Sequence, residues 1–402
     1  MRNKITYKSF IPKNYIKIKN SSQNQTNVIK LLKKIEANLD SKKNIFNSLK
    51  DSFKVKEKNF KKYKNFKKII VLGMGGSILG TQAIYSFLSF KIKKDFLFLD
   101  NLDSRSVVQL KKFIILRKTL FIIISKSGNT IETLINFSFL KNYNLNSKNT
   151  ILISEDKDNA LKNIAKKYKI SLTEHRSYIG GRYSILSNEG MIPSYLMDID
   201  IKKFKKNILS CFSKKNQIFL SQNALNISKI YSSKKINNLI LFNYSSQLDY
   251  FMFWAQQLIA ESLGKKGNGI LPVISTGPKD HHSLLQLYLD GPKDKMFYIF
   301  SSDEKNKLKV SNYGINKKSH YLKNKTLNQV ILAQKNALIN VLKKKQIPFK
   351  EFNIKKFDEE SLSELFVYFI LETVLVGKLI NINPFDQPAV DQVKVLTRKF
   401  LS

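Results

Sequence analysis

The segment TLFIII, residues 119–124, holds no charge, glycine or proline and runs straight into the polar cluster SKSGNT. Six residues are too few for a buried helix, and the run lacks the alternation of a half-solvated strand. It reads as a strand covered on both faces. The same signature recurs in FKKIIVLGMGG (66–76), FLFLD (96–100), TILISED (150–156) and ISLTEH (170–175), with helix-length segments between. It returns in NNLILFNYSS (237–246), GILPVIST (269–276), KMFYIFSS (295–302) and FKEFNIKKF (349–357). Strands alternating with helices predict an α/β fold with mostly parallel sheets flanked by helices. A chain of 402 residues exceeds what one core usually supports, so two such units in tandem are expected. The division is an N-terminal helical segment over 1–65 packing on the core, domains over 66–200 and 201–356, and C-terminal helices over 357–402.

The formal net charge of +40 raises the question of nucleic acid. Only six of the 70 basic residues are arginine, the residue that reads base edges in bidentate fashion. The lysines are spread along the whole chain as pairs, together with abundant Asn, Ile and Phe. That joint bias reads as AT-rich coding, and no specific nucleic-acid partner is expected. A single cysteine, Cys211, excludes an internal disulfide and a cysteine-based zinc site, and four histidines leave little for metal coordination. Neither a metal nor an organic cofactor is expected. The first twenty residues lack the continuous apolar core of a signal peptide. The longest apolar stretch, LFVYFILETVLVGKLI (365–380), is broken by Glu372 and Lys378 and is short for a membrane span. A soluble, cytoplasmic protein without a membrane partner is the expectation.

In open α/β sheets, ligands bind outside the carboxyl ends of the strands, and the polar clusters of this chain lie there. Gly75-Gly76-Ser77 follows the first run and reads either as a phosphate cradle or as a tight turn. Ser125, Lys126, Ser127 and Thr130 gather between a strand and a helix start, where hydroxyls, an ammonium and free amides suit a phosphate. In YIGGRYS, Arg182 follows Gly180 and Gly181, either as an anion ligand or as a structural ion pair. In QQLIAESLGKK, Gln257 and Glu261 are four apart and share a helical face. Glu261 reads as a general base or as a helix-end acid. STGPKDHHSLLQL supplies His281 and His282, at least one of them expected to be idle. NPFDQPAVDQVK offers Gln387 and Lys394.

These clusters, in this order from residue 66 to the end, resemble the phosphoglucose isomerase family. GGS, SKSGNT-ET, GGRYS, QxxxES-GK, histidine-Ser with a later QL, and FDQP-V with a later lysine match in sequence and order. The resemblance implies two sugar-isomerase (SIS) domains and a homodimer with shared active sites. It further implies a glycolytic and gluconeogenic interconversion of glucose 6-phosphate and fructose 6-phosphate by ring opening and an enediolate proton transfer. On this resemblance Ser77, Ser125, Lys126, Ser127 and Thr130 hold the phosphate, Gly76 and Gly181 join them in binding substrate, and Glu261 moves the proton between C2 and C1. Arg182, beside Gly181, steadies the enediolate, Gln257 and Gln387 position the open chain, and His282 and Lys394 serve ring opening. The C-terminal helices then complete the active site. The alternatives are a dual phosphoglucose and phosphomannose isomerase, and a non-catalytic SIS sensor of sugar phosphates. A sensor needs the phosphate loop but not Glu261, Arg182 and His282 together.

Overall fold

A computed structural model describes residues 4–15, 22–41, 43–50, 57–115, 117–206, 208–303, 308–311 and 313–402. Parts of the N-terminal segment expected to be helical, and Arg2 with them, lie outside these residues. All nine runs form strands: β2 (Lys68–Leu72), β3 (Asp95–Leu99), β4 (Thr119–Ile124), β5 (Thr150–Ser154) and β6 (Leu172–Glu174), then β7 (Asn238–Asn243), β8 (Leu271–Thr276), β9 (Lys295–Ser302) and β10 (Phe349–Ile354). A tenth, β1 (Ile5–Phe10), comes from the N-terminal segment, which is therefore helical only in part; the helix Ser22–Ala37 follows it. The first sheet has the order β3-β2-β4-β5-β6 and is wholly parallel. The second has the order β1-β10-β9-β7-β8, parallel except for β1, which pairs antiparallel with β10.

Alternate residues of the strands divide between separate cores, as coverage on both faces requires. In the first sheet Ile70, Leu72, Phe121 and Ile123 enter an outer cluster, whereas Ile69, Val71, Ile122 and Ile124 face the interior. In the second, Ile240, Phe242, Phe297 and Ile299 face outward, and Leu239, Leu241, Tyr298 and Phe300 face in. The two inner faces share one continuous core with the helix Glu359–Leu379, whose residues 365–377 are all buried. Glu372, the charge that interrupts this apolar stretch, is buried and paired with Lys350 while also accepting from Tyr298 and Tyr368. Among the described residues no helix is long and apolar enough to cross a membrane.

Candidate active site

Both phosphate-like clusters sit at the carboxyl ends of β2 and β4, neighbouring strands at the centre of the first sheet. After β2 the chain makes the short 3-10 turn Gly75–Ser77, with Gly75 at φ +52°, before the helix Leu79–Phe87. Gly76 has a separate reason to lack a side chain. A β-carbon there would lie 2.3 Å from the Gly181 carbonyl carbon and 2.5 Å from the Arg182 nitrogen, so the GGS and GGR turns touch backbone to backbone.

After β4, Ser125 is buried and its Oγ lies 2.8 Å from Thr130 Oγ1. Gly128, at φ +70°, donates its amide to Ser125 Oγ at 3.2 Å, and the Asn129 amide bonds Ser127 Oγ at 3.2 Å. Asn159 packs under Gly128 so closely that any β-carbon would collide with it. Thr130 is the N-cap of the helix Ile131–Ser138 but does not cap it with its side chain, so the first-turn amides remain for a ligand. Lys126 stands half-exposed over this turn, 3.8 Å from Glu155. Burial lowers its ammonium from the ordinary lysine value, and Glu155 works against that shift.

Arg182 is the best-held cation of the site and is 2% exposed. Its Nε donates to Ser262 Oγ at 2.8 Å and its Nη1 to Glu261 Oε2 at 3.0 Å and to Gln387 Oε1. Its Nη2 donates to the carbonyls of Pro384 and Asp386 at 2.7 and 3.1 Å. Glu261 and Gln257 lie one turn apart on the helix Asp249–Leu263, and Gln257 Nε2 donates to Glu261 Oε1 at 2.8 Å. Gln257 also packs over Gly75, where a β-carbon would lie 2.8 Å from its Nε2. Five separate stretches of sequence thus converge: the GGS turn, the GGR turn, the Gln257–Glu261 face, the 384–387 strap and, beside them on β4, the phosphate-type loop.

His282 and Lys394 are exposed and lie outside this hydrogen-bonded cluster. His282 is exposed in the loop after β8. Lys394 is exposed on the helix Asp391–Leu401 and pairs with Asp391 at 3.0 Å. Neither hydrogen bonds to another member of the site among the described residues. His281, expected to be idle, instead bonds Tyr244 OH through Nε2 at 2.5 Å and packs on Phe242. Its partial burial, with His282 beside it, pushes its pKa below the usual histidine value.

Three participants escaped the sequence reading. Ser262 and Tyr183 join hydroxyl to hydroxyl at 2.8 Å, and Tyr183 OH donates to the Pro384 carbonyl at 2.9 Å, fastening the strap to the arginine. Ser262 directly follows Glu261 and Tyr183 directly follows Arg182, inside the ES-GK and GGRYS motifs, which was the available signal. Asn159, beneath Gly128, lies in a segment that carries no motif.

The phosphoglucose isomerase family model matches residues 14–402. A probable glucose-6-phosphate isomerase of Methanococcus maripaludis is 35% identical over 356 residues, covering 84% of this chain and 80% of that protein. The glucose-6-phosphate isomerase of Methanocaldococcus jannaschii is 32% identical over 349 residues, covering 84% and 86%. Among solved structures, a hypothetical protein from Thermus thermophilus superimposes with a TM-score of 0.83 at 23% identity, covering 98% of this chain and all of that one. A glucose-6-phosphate isomerase from Chlamydia trachomatis gives 0.79 at 17% identity, covering 99% of this chain and 88% of that chain, so the fold is shared at low identity. A family match across nearly the whole chain, over a site in which Arg182, Glu261 and Gln387 meet, places the chain in the phosphoglucose isomerase family.

Proposed function

We infer that the chain interconverts glucose 6-phosphate and fructose 6-phosphate, a step common to glycolysis and gluconeogenesis. The observation that carries this reading is the Glu261 carboxylate, held from one side by Gln257 and from the other by Arg182, beside a loop built for phosphate. Moving a proton between the carbons flanking a carbonyl needs a carboxylate base and a fixed cation at the developing oxyanion. Glu261 and Arg182 are those groups in this proposal. The phosphate, held by Ser77, Ser125, Lys126, Ser127 and Thr130, fixes the sugar over the base, and this remote binding energy is expressed in the chemical step. Gln257 Oε1 is buried without a hydrogen-bond partner among the described residues, which suits an acceptor for a substrate hydroxyl.

Ring opening is assigned to His282, with Lys394 assisting, and the site is completed by a second copy of the chain. Two observations support a homodimer. His282 is exposed and makes no hydrogen bond to the Glu261 carboxylate among the described residues. The helix Asp391–Leu401 leaves Val393, Leu396 and Phe400 at 67%, 51% and 84% exposure at helical spacing, an apolar face that a partner would cover. The same reading places the protein in the cytoplasm and gives the diffuse lysines no specific nucleic-acid role.

The deciding experiment is Glu261→Gln. It keeps the shape and the Gln257 contact but removes the base, so turnover falls about 10²- to 10⁴-fold while calorimetry finds sugar-phosphate affinity nearly unchanged. Near-parental turnover would place the base elsewhere. An inactive parent that binds sugar phosphate would favour the sensor reading.

A further inference from the structure

The second sheet repeats the connections of the first. Strands β8-β7-β9-β10 occupy the order of β3-β2-β4-β5, so β7 and β9 stand where β2 and β4 stand. After β7 a short 3-10 turn, Ser246–Leu248, leads into the helix Asp249–Leu263, just as Gly75–Ser77 leads into Leu79–Phe87 after β2. In each sheet the chain reverses its direction of progress between that central pair. Such a reversal opens a crevice at the strands' carboxyl ends, the place where open α/β sheets receive ligands. The first sheet's crevice holds the phosphate loop.

The second crevice contains a cavity of about 310 Å³, at the lower end of the range of small-molecule sites. Its polar wall includes Ser246, Thr276, Ser302 and Asn328, and Leu327 and Ile331 supply an apolar side. Ser302 is the last residue of β9 and is 8% exposed, yet its hydroxyl has no hydrogen-bond partner among the described residues. A hydroxyl open to a cavity and without a protein partner is a group that a ligand hydroxyl can engage. Every lining side chain among the described residues is uncharged, in contrast to Lys126 at the first site. Hydroxyls and carboxamides against an aliphatic side match the mixed hydroxyl and C–H surface of a polyol.

We propose that the reversal point of the second sheet is a second carbohydrate site, which takes an uncharged sugar or polyol of about hexose size rather than a sugar phosphate. It is separate from the isomerase site and does not use Glu261, Arg182 or Lys126.

The test is saturation-transfer NMR with glucitol as the probe, on the full chain, with saturating fructose 6-phosphate filling the first site. Glucitol signals persist under these conditions, and Lys126→Ala leaves them unchanged. Ser302→Val weakens glucitol binding about fivefold or more, the effect of one lost hydrogen bond, with isomerase activity retained. Asn328→Leu, on the half-exposed start of the helix Leu327–Lys344, does the same and carries the test alone if Ser302→Val fails to fold. Loss of the signal on adding fructose 6-phosphate, no signal at any glucitol concentration, or parental binding in a folded variant would each overturn the proposal.

Discussion

Arg182 has five N–H donors, and the protein meets every one: Ser262 at Nε, Glu261 and Gln387 at Nη1, and the Pro384 and Asp386 carbonyls at Nη2. A guanidinium so saturated has no free hydrogen for an incoming oxyanion. On the proposed mechanism, substrate must therefore replace one acceptor, and the candidates differ in mobility. Two are backbone carbonyls, and Ser262 is fully buried and tied to Tyr183. Only the side chains at Nη1 can swing aside, so the oxyanion is expected there, where the Glu261 carboxylate leaves as it takes its proton. Ser262 is then a positioning residue that fixes the plane of the guanidinium. Ser262→Ala removes a charge-assisted hydrogen bond and should lower kcat about 10- to 100-fold with KM little changed, and Ser262→Thr should recover part of the loss. Steady-state kinetics on the three proteins check this. A rise in KM at constant kcat would mean that Ser262 serves binding and not orientation.

At the scale of the element, the helix Glu359–Leu379 links the core to the strap that holds Arg182, and its acids show how burial decides a charge. Glu372 keeps its ion pair with Lys350 inside the core. Glu364, one side of the same helix, has Tyr7 OH at 3.1 Å as its sole hydrogen-bond partner among the described residues, and burial pushes its carboxyl up to about 7. Folded Glu364 thus holds its proton through a range in which the unfolded chain has released it. Its contribution to stability is intact below pH 4.5 and is lost as pH rises through 7. Glu364→Gln, neutral throughout, should gain up to about 3 kcal/mol over the parent at pH 8 and almost nothing at pH 4. Urea unfolding at both pH values measures the difference, and an equal effect at both would show that Glu364 ionises freely in the fold. Legibility in the sequence follows the same physics of burial. Nine strands were readable because double coverage demands unbroken apolar runs. β1 was not, since on an edge only Ile5 of ITYKSF is buried and its pairing with β10 spans more than 300 residues. Arg182, Glu261 and Gln387 stood out through residue type and order. The Ser262–Tyr183–Pro384 chain was invisible because it exists only when residues 79 to 201 positions apart come together.

At the scale of the whole molecule, one chain brings Glu261 and Arg182 together but leaves His282 and Lys394 at its surface. The net charge of +40 opposes association of two copies at long range, but at about 0.15 M salt the screening length is only about 8 Å, so diffuse lysines repel weakly once surfaces approach. Apolar contact can then prevail, and the exposed Val393, Leu396 and Phe400 supply it. The proposed shared site makes a sharper demand than dimerisation alone, because on that proposal it draws its base and its ring-opening histidine from different chains. A Glu261→Gln chain keeps His282, and a His282→Ala chain keeps Glu261. In a mixed dimer, one site draws both intact groups and the other draws both altered ones. Random exchange makes half of the dimers mixed, each with one working site, so two nearly inactive proteins should recover about a quarter of parental turnover. The assay uses glucose 6-phosphate in its cyclic form, with subunit exchange verified by differently tagged chains. Verified mixed dimers without recovered turnover would place ring opening within a single chain, and a greater loss in His281→Ala than in His282→Ala would move the role to the histidine that bonds Tyr244.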